Sequence, residues 1–262
     1  MKFEEFQSAG VRIVHVAPDT PPVGAPLVFV HGGGEAAWVW DEFLAHFAGH
    51  GRDCYAFDWF GHGGSRTLTD AELIQRSLFD ITEELGIVVS RVGPTPVLIG
   101  HSMGALVVQK YAEDYPVAAR VLLAPAAFKE APAPDFPLPL DFAVPLAVPP
   151  FEFVRQAFFA DCTEADARRY YAMITPESPK AFAEVGRADH LLELDRLRLG
   201  GPSLVVAGEH DMIVPVDVAR RTAEYFGSDY LFLHGRGHGM TLGSESGRTA
   251  DRIRAWLDTS VW

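Results

Sequence analysis

The sequence predicts an α/β protein: a mostly parallel central sheet with helices on both faces. Three observations lead there. Short apolar runs alternate along most of the chain with longer segments of helical spacing. Several of the runs are continuous rather than alternating, which suits strands buried on both faces. Loops rich in glycine, histidine and acidic residues directly follow the runs, and parallel sheets collect ligands beyond those strand ends.

In chain order, Val11 to Val16 alternate like an edge strand. Leu27 to Val30 form a continuous run fit for a buried strand, and Pro26 stands at its start, where a missing N–H is tolerated. A helical segment runs from about Trp38 to His50, and Asp53 to Asp58 form the next strand. Ala71 to Arg91 have helical spacing through Leu73, Ile74, Leu78, Ile81 and Leu85. Pro96 to Ile99, Arg120 to Ala124, Ser203 to Ala207 and Tyr230 to Leu233 supply further strands. Val216 to Phe226 and Ser246 to Leu257 supply further helices. No internal repeat is visible.

Residues 125–199 break this rhythm. Ala131 to Leu140 and Pro149-Pro150 are crowded with proline, which continues neither a helix nor a central strand. Helical patches come next at Phe151 to Ala160, Thr163 to Met173 and Pro179 to Leu194. The segment reads as a helical, proline-rich insertion over a site, set into a core of residues 1–124 and 200–262.

The 262 residues, 48% of them apolar, suffice for a sizeable core. No run of roughly 18 apolar residues suggests a spanning helix. Met1 to Phe6 lack the apolar stretch of a signal peptide, and Cys54 and Cys162 make no disulfide framework. A reducing, cytoplasmic setting without a membrane anchor is the expectation. The 35 acidic against 22 basic residues give a net charge of −13, which repels nucleic acid and anionic membranes.

Chemistry concentrates at five loops. Gly100-His101-Ser102-Met103-Gly104 lies between a strand and a helix, where a sharp turn needs small residues two away on either side and lifts a hydroxyl off the sheet. A serine nucleophile needs a base, an orienting carboxylate and N–H donors for an oxyanion. His238, in the glycine-rich loop Gly235 to Met240, is the base candidate, with His234 its rival. Asp211, in Gly208 to Pro215, is the orienting acid, with Glu209 and Asp217 as competitors. His31-Gly32-Gly33-Gly34 permits close backbone approach, so the oxyanion donors are expected at the Gly33 and Met103 N–H groups, with Gly34 as the fallback for the first. Asp58 to Ser65 is given a structural role beside the site. No cluster has convincing metal spacing; His46 and His50 lie four apart on a helix but lack the glutamate of a zinc-protease motif.

Together these loops resemble the α/β-hydrolase superfamily over nearly the whole chain. The order Ser102, Asp211, His238 is similar to that family's nucleophile, acid and base. The resemblance implies an α/β-hydrolase core, a cap over residues 125–199, and a serine hydrolase that cleaves a carboxylic ester of a small molecule without cofactor or metal. Serine at the nucleophile position argues against epoxide and halide chemistry, which usually needs aspartate there. The loop at His31 to Gly34 is similar to that of lipases and esterases, and Trp38 and Trp40 to features of small esterases. Gly34, Trp38, Phe128, Phe153 and Phe158 are the expected substrate contacts, within an apolar inventory that adds Phe136, Phe142, Phe159 and Leu138 to Leu146. The same triad serves lactonases, amidases, C–C bond hydrolases and lyases; Arg155, Arg168 and Arg169 would favour the last two by binding a carboxylate. A small-ligand sensor on this fold is the alternative outside enzymes. The oligomeric state is left open.

Overall fold

The computed structural model describes residues 1–134 and 139–261. Among the described residues, eight strands form one sheet: β1 (Lys2–Ser8), β2 (Val11–Ala17), β3 (Leu27–Val30), β4 (Cys54–Phe57), β5 (Val97–His101), β6 (Ala119–Leu123), β7 (Ser203–Gly208) and β8 (Asp229–Leu233). Their order is β1-β2-β4-β3-β5-β6-β7-β8. The β1–β2 and β2–β4 pairs are antiparallel and all others parallel. The helices are α1 (Asp41–Gly49), α2 (Asp70–Gln75), α3 (Ile81–Val92), α4 (Met103–Asp114), α5 (Phe151–Ala157), α6 (Glu164–Tyr171), α7 (Pro179–Gly186), α8 (Val216–Phe226) and α9 (Ser246–Ser260).

Continuous apolar strands end up covered on both sides. Val28, Val30 and Leu98 face a core with Leu85, Leu106 and Val218 of α3, α4 and α8. Leu27, Phe29 and Ile99 face the opposite core, with Phe43, Phe47, Ile253 and Leu257 of α1 and α9. This alternation is the period of two that a strand imposes.

Two expectations are corrected. Val11–Ala17 is an interior strand; the edge on that side is β1, whose residues are mostly exposed. An edge strand with little to bury has no apolar pattern to reveal it. The segment Ala71 to Arg91 is two helices with a short turn of helix between them. Arg76 is extended, and Ser77 caps the turn after it through the Phe79 N–H while Asp80 accepts the Ser77 N–H.

Between β6 and β7 the chain leaves the sheet and forms α5, α6 and α7. Val154, Phe159, Cys162, Ala167 and Tyr170 make a small apolar cluster there, joined by Leu242 from beyond β8. No helix among the described residues is long and apolar enough to cross a membrane. Cys54 and Cys162 are buried and unbridged.

Candidate active site

Ser102 occupies the turn between β5 and α4 with φ 53° and ψ −119°, a conformation that a residue with a side chain rarely adopts. The neighbours two away leave no choice of residue. A Cβ on Gly100 would lie 2.5 Å from the Gly104 carbonyl oxygen, and one on Gly104 would lie 2.2 Å from that of His31. The turn is pinned on three sides. The Ser102 N–H donates to the Leu123 carbonyl at 2.9 Å, and the Ser102 carbonyl accepts the Ala105 and Ala126 N–H groups at 3.1 and 3.2 Å.

His238 follows β8 and Asp211 follows β7. The His238 Nδ1 lies 2.9 and 3.1 Å from the two Asp211 carboxylate oxygens, and both side chains are buried. A carboxylate on that side assigns the proton to Nδ1 and the lone pair to Nε2. Nε2 is buried and makes no hydrogen bond among the described residues, Ser102 Oγ included. The ring centre is 4.7 Å from that of His101, the residue before Ser102, and 5.0 Å from Phe158, which it meets edge to face. Asp211 also serves its own turn, accepting the Ile213 and Val214 N–H groups at 2.8 Å each.

The rivals lie elsewhere. The His234 side chain is 83% exposed. Glu209 accepts the Gly235 N–H at 2.8 Å. Asp217 sits in the first turn of α8 and pairs with Arg220 and Arg221.

The glycine loop after β3 is held by two carboxylates. The Gly32 N–H donates to Glu35 Oε2 and the Gly34 N–H to Glu177 Oε2, each at 2.9 Å. Gly34 is therefore corrected as the fallback oxyanion donor, because its N–H is already engaged. The Gly33 N–H, between them, makes no hydrogen bond among the described residues. A Cβ on Gly33 would lie 2.5 Å from Met103 Sδ, so this residue packs directly on the start of α4. Met103 opens that helix, where the N–H has no carbonyl within the helix to meet.

Each carboxylate is paired with a buried histidine. Glu35 faces His101 Nδ1 at 3.3 Å, while His101 Nε2 donates to the His238 carbonyl at 3.0 Å. Burial works against charge on both partners, but their mutual attraction outweighs it: His101 is held above its ordinary pKa and Glu35 below its own. Neither Glu35 nor Glu177 was legible as a site residue. Glu177 reaches Gly34 across 143 positions of sequence, from a segment without periodicity.

His31 behaves oppositely. Burial first, and then the positive charge of His62, push its pKa down to about 4. It stays neutral, donating from Nδ1 to the Gly32 carbonyl and accepting the Trp59 N–H at Nε2. An unfolded chain takes up this proton near pH 6.5, the folded chain only near 4, so stability is lost as pH falls across that window. Between pH 7 and 5 the unfolding free energy of the wild type should drop by about 2 kcal/mol more than that of His31→Gln. Denaturant titrations at the two pH values check this, and equal losses would refute it.

The cleft at Ser102 is a cavity of about 150 Å³. Ser102, Met103, Gly33, Gly34 and Trp38 line it with Leu146, Val148, Phe153, Phe158, Phe159, Ile174, Phe182, Val185 and Ile213. The only charged residues on its wall among those described are Glu35 and Glu177, both already engaged. Of the expected contacts, Gly34, Trp38, Phe153 and Phe158 line the cavity, although Phe153 is also 37% exposed to solvent. Phe128 is corrected: it does not line the cavity but is buried in the core against Tyr225 and Phe226 of α8, whose apolar rings claim it. Phe142 is exposed beside His190. Phe136 and Leu138 lie outside the described residues. The three arginines do not line the cavity. Arg155 donates to the Phe159 and Cys162 carbonyls, Arg168 pairs with Glu164, and Arg169 pairs with Asp166.

Away from this cleft, His46 and His50 of α1 approach Asp251 of α9, with one potential ligand atom from each lying within 4.8 Å of the others. It is the single such grouping among the described residues, and it has no part in the cleft.

Several known proteins are similar to this chain. A protein of Mycobacterium phage D29 named as a non-heme haloperoxidase is 28% identical over 84% of this chain and 84% of its own. A monoacylglycerol lipase of Mycolicibacterium smegmatis is 27% identical over 95% of this chain and 93% of its own. The crystal structure of an esterase from Rhodococcus sp. ECU1013 superposes with a TM-score of 0.72 at 22% identity, covering 99% of this chain and 100% of its own, a likeness of fold. The family model described as "Alpha/beta hydrolase family" matches residues 27–252. With that match spanning most of its length, the chain belongs to the α/β-hydrolase family.

Proposed function

We propose that this protein is a serine hydrolase that cleaves carboxylic esters with an apolar acyl or alcohol part. The buried Asp211–His238 pair carries the reading. It presents an unpartnered Nε2 on a ring that packs against His101, the residue before Ser102, and against Phe158, which lines the apolar cavity with Ser102. Relatives with ester-cleaving names, such as the monoacylglycerol lipase, support ester hydrolysis in general.

In this mechanism His238 Nε2 takes the Ser102 proton as Oγ attacks the ester carbonyl. Asp211 holds the ring and stabilises the imidazolium. The tetrahedral oxyanion lies between the Gly33 and Met103 N–H groups. His238 then protonates the leaving alcohol, and a water activated by the same nitrogen releases the acid. The Ser102–His238 hydrogen bond forms as substrate binds, since such bonds are commonly long in free enzymes and tighten in the complex. The segment over residues 125–199 acts as the cap and supplies much of the apolar wall, including Phe153, Phe158 and Ile174.

The wall also discriminates. A substrate carboxylate would enter a cavity with no free cation among the described residues and two resident carboxylates. An unpaired buried charge is expensive, so kcat/KM for a neutral butyrate ester should exceed that for the matching succinate half-ester by at least about 100-fold. Comparable values would rule out this account of the pocket. For the same reason, C–C hydrolysis and elimination of substrates that must be held through their own carboxylate are disfavoured. A fluorophosphonate probe should label Ser102 stoichiometrically, and ester turnover should run to many cycles. Labelling elsewhere would overturn the nucleophile assignment, and a single cycle would favour the sensor.

A further inference from the structure

Glu177 is the only charged residue that the segment between β6 and β7 places on the wall of the cleft, among the described residues. Its Oε2 accepts the Gly34 N–H at 2.9 Å and faces His62 Nε2 at 3.2 Å, while Oε1 accepts the Ser178 N–H at 2.7 Å. The Gly34 carbonyl accepts the Thr175 N–H at 2.9 Å. Gly34 is thus gripped at both its N–H and its C=O by residues 175–177. A Cβ built on Gly33 would lie 3.3 Å from Glu177 Oε2, so the carboxylate runs alongside the residue assigned as oxyanion donor.

That placement sets an electrostatic problem. A bare carboxylate beside a developing oxyanion repels it. His62 stands where it can solve the problem. Both of its ring nitrogens face acceptors, Nε2 the Glu177 carboxylate and Nδ1 the Phe60 carbonyl at 3.3 Å. Two acceptors call for two donors, which is the imidazolium. The two side chains are 1% and 8% exposed, so the pair is little screened. The other groups facing His62 are His31 and Trp59, each 5.6 Å away between ring centres, and the Arg76–Glu84 pair. His31 is held neutral by burial, with its Nε2 lone pair accepting the Trp59 N–H, and Arg76 is matched by Glu84.

We infer that Glu177 and His62 form a positioning pair for acyl transfer. Glu177 aims the Gly33 N–H by gripping Gly34, and the His62 imidazolium cancels the charge that this grip brings near the oxyanion. The inference rests on the proposed serine-hydrolase mechanism and adds a role for the cap: its carboxylate completes the oxyanion loop of the core. Turnover should then fall on the alkaline side as His62 loses its proton. Burial alone would place that loss below pH 6.5; the attraction of Glu177 overrides burial and moves it above. Glu177 is reciprocally held down to about 2, burial opposing and His62 prevailing, so it stays ionised throughout.

Steady-state kinetics on a neutral p-nitrophenyl ester from about pH 6 to 10 test the pair, with folding monitored by circular dichroism. Glu177→Ala should lower kcat about 10- to 100-fold, as a misaimed oxyanion donor does, with KM within about threefold of wild type. Glu177→Gln keeps an oxygen for the Gly34 N–H, so kcat should recover to within about fivefold while the alkaline limb disappears. His62→Gln should lower kcat by about tenfold or more, and the double variant should return to the Glu177→Gln level. Wild-type kcat in Glu177→Ala or His62→Gln would overturn the proposal, as would an effect on KM alone or an alkaline limb that survives in Glu177→Gln. If Glu177→Ala does not fold, the Glu177→Gln limb and the double variant decide. Wild-type protein without Ser102-dependent turnover would overturn the mechanism and the pair together; Ser102-dependent turnover indifferent to Glu177 and His62 overturns the pair alone.

Discussion

Ser102→Ala should reduce kcat toward an ester by about 10⁴- to 10⁶-fold while leaving the fold intact. The size reflects the group removed. The proposed pathway forms a covalent bond to Oγ, and methyl hydrogens offer no lone pair. The Gly33 and Met103 N–H groups and the apolar wall remain, and they still bind and polarise a carbonyl and leave a residual acceleration over water. Binding of a neutral ester should be nearly unaffected, since the cavity is shaped by Trp38, Leu146, Phe158 and their neighbours. The variant should melt no lower than wild type, because the strain at φ 53° belongs to the turn and the hydroxyl makes no hydrogen bond among the described residues. Turnover by the purified variant above about a tenth of the wild-type rate would defeat the assignment.

Gly104→Ala should produce a large loss of stability from a single added carbon. Its Cβ would stand 2.2 Å from the His31 carbonyl oxygen and 2.5 Å from that of Val30. Both obstacles are backbone, one in β3 and the other at the start of the glycine loop, so no rotamer can relieve them. The start of α4 must move away from β3, opening the core beneath it and displacing the Gly33–Met103 contact. Overpacking of this kind costs about 3 kcal/mol or more, which for a chain of this size lowers Tm by roughly 6–12 °C. Activity should fall with it, because the same displacement spreads the two proposed oxyanion donors. Gly86→Ala is the control. That glycine lies inside α3, the nearest atom to its Cβ would be 3.8 Å away on Tyr111, and alanine is the better helix former. It should raise stability by up to about 1 kcal/mol. Differential scanning calorimetry on both variants settles the comparison, and an unchanged Tm for Gly104→Ala would refute the packing account.

Pattern carried the sheet far. β3, β5, β6 and β7 are strands buried on both faces, and an apolar run announces that by composition alone. β1 has almost nothing to bury, so hydrophobicity could not mark it. The break at Arg76 was hidden for a related reason. Leu73, Leu78, Ile81 and Leu85 are all buried and keep helical spacing, while the interruption is a matter of capping by Ser77 and Asp80.

The loops that carry Ser102, Asp211 and His238 were readable because each follows a strand of a parallel sheet, and strand ends converge. The Asp211–His238 contact needed only that convergence. Phe128 could not be placed by composition, which says that a phenylalanine is buried but not on which side of the chain; the apolar rings of α8 claimed it for the core. Glu177 and Glu35 were invisible for a deeper reason. A carboxylate is ordinarily a surface residue, and these two belong to the cleft through partners brought from afar: His62 and Gly34 for one, His101 for the other. Local chemistry and periodicity sufficed for the scaffold and for the residues at strand ends. Which charges are buried, which groups neutralise them and which N–H of the glycine loop is left free depend on long-range packing, because the cost of burying a charge is met only by partners that the folded chain supplies.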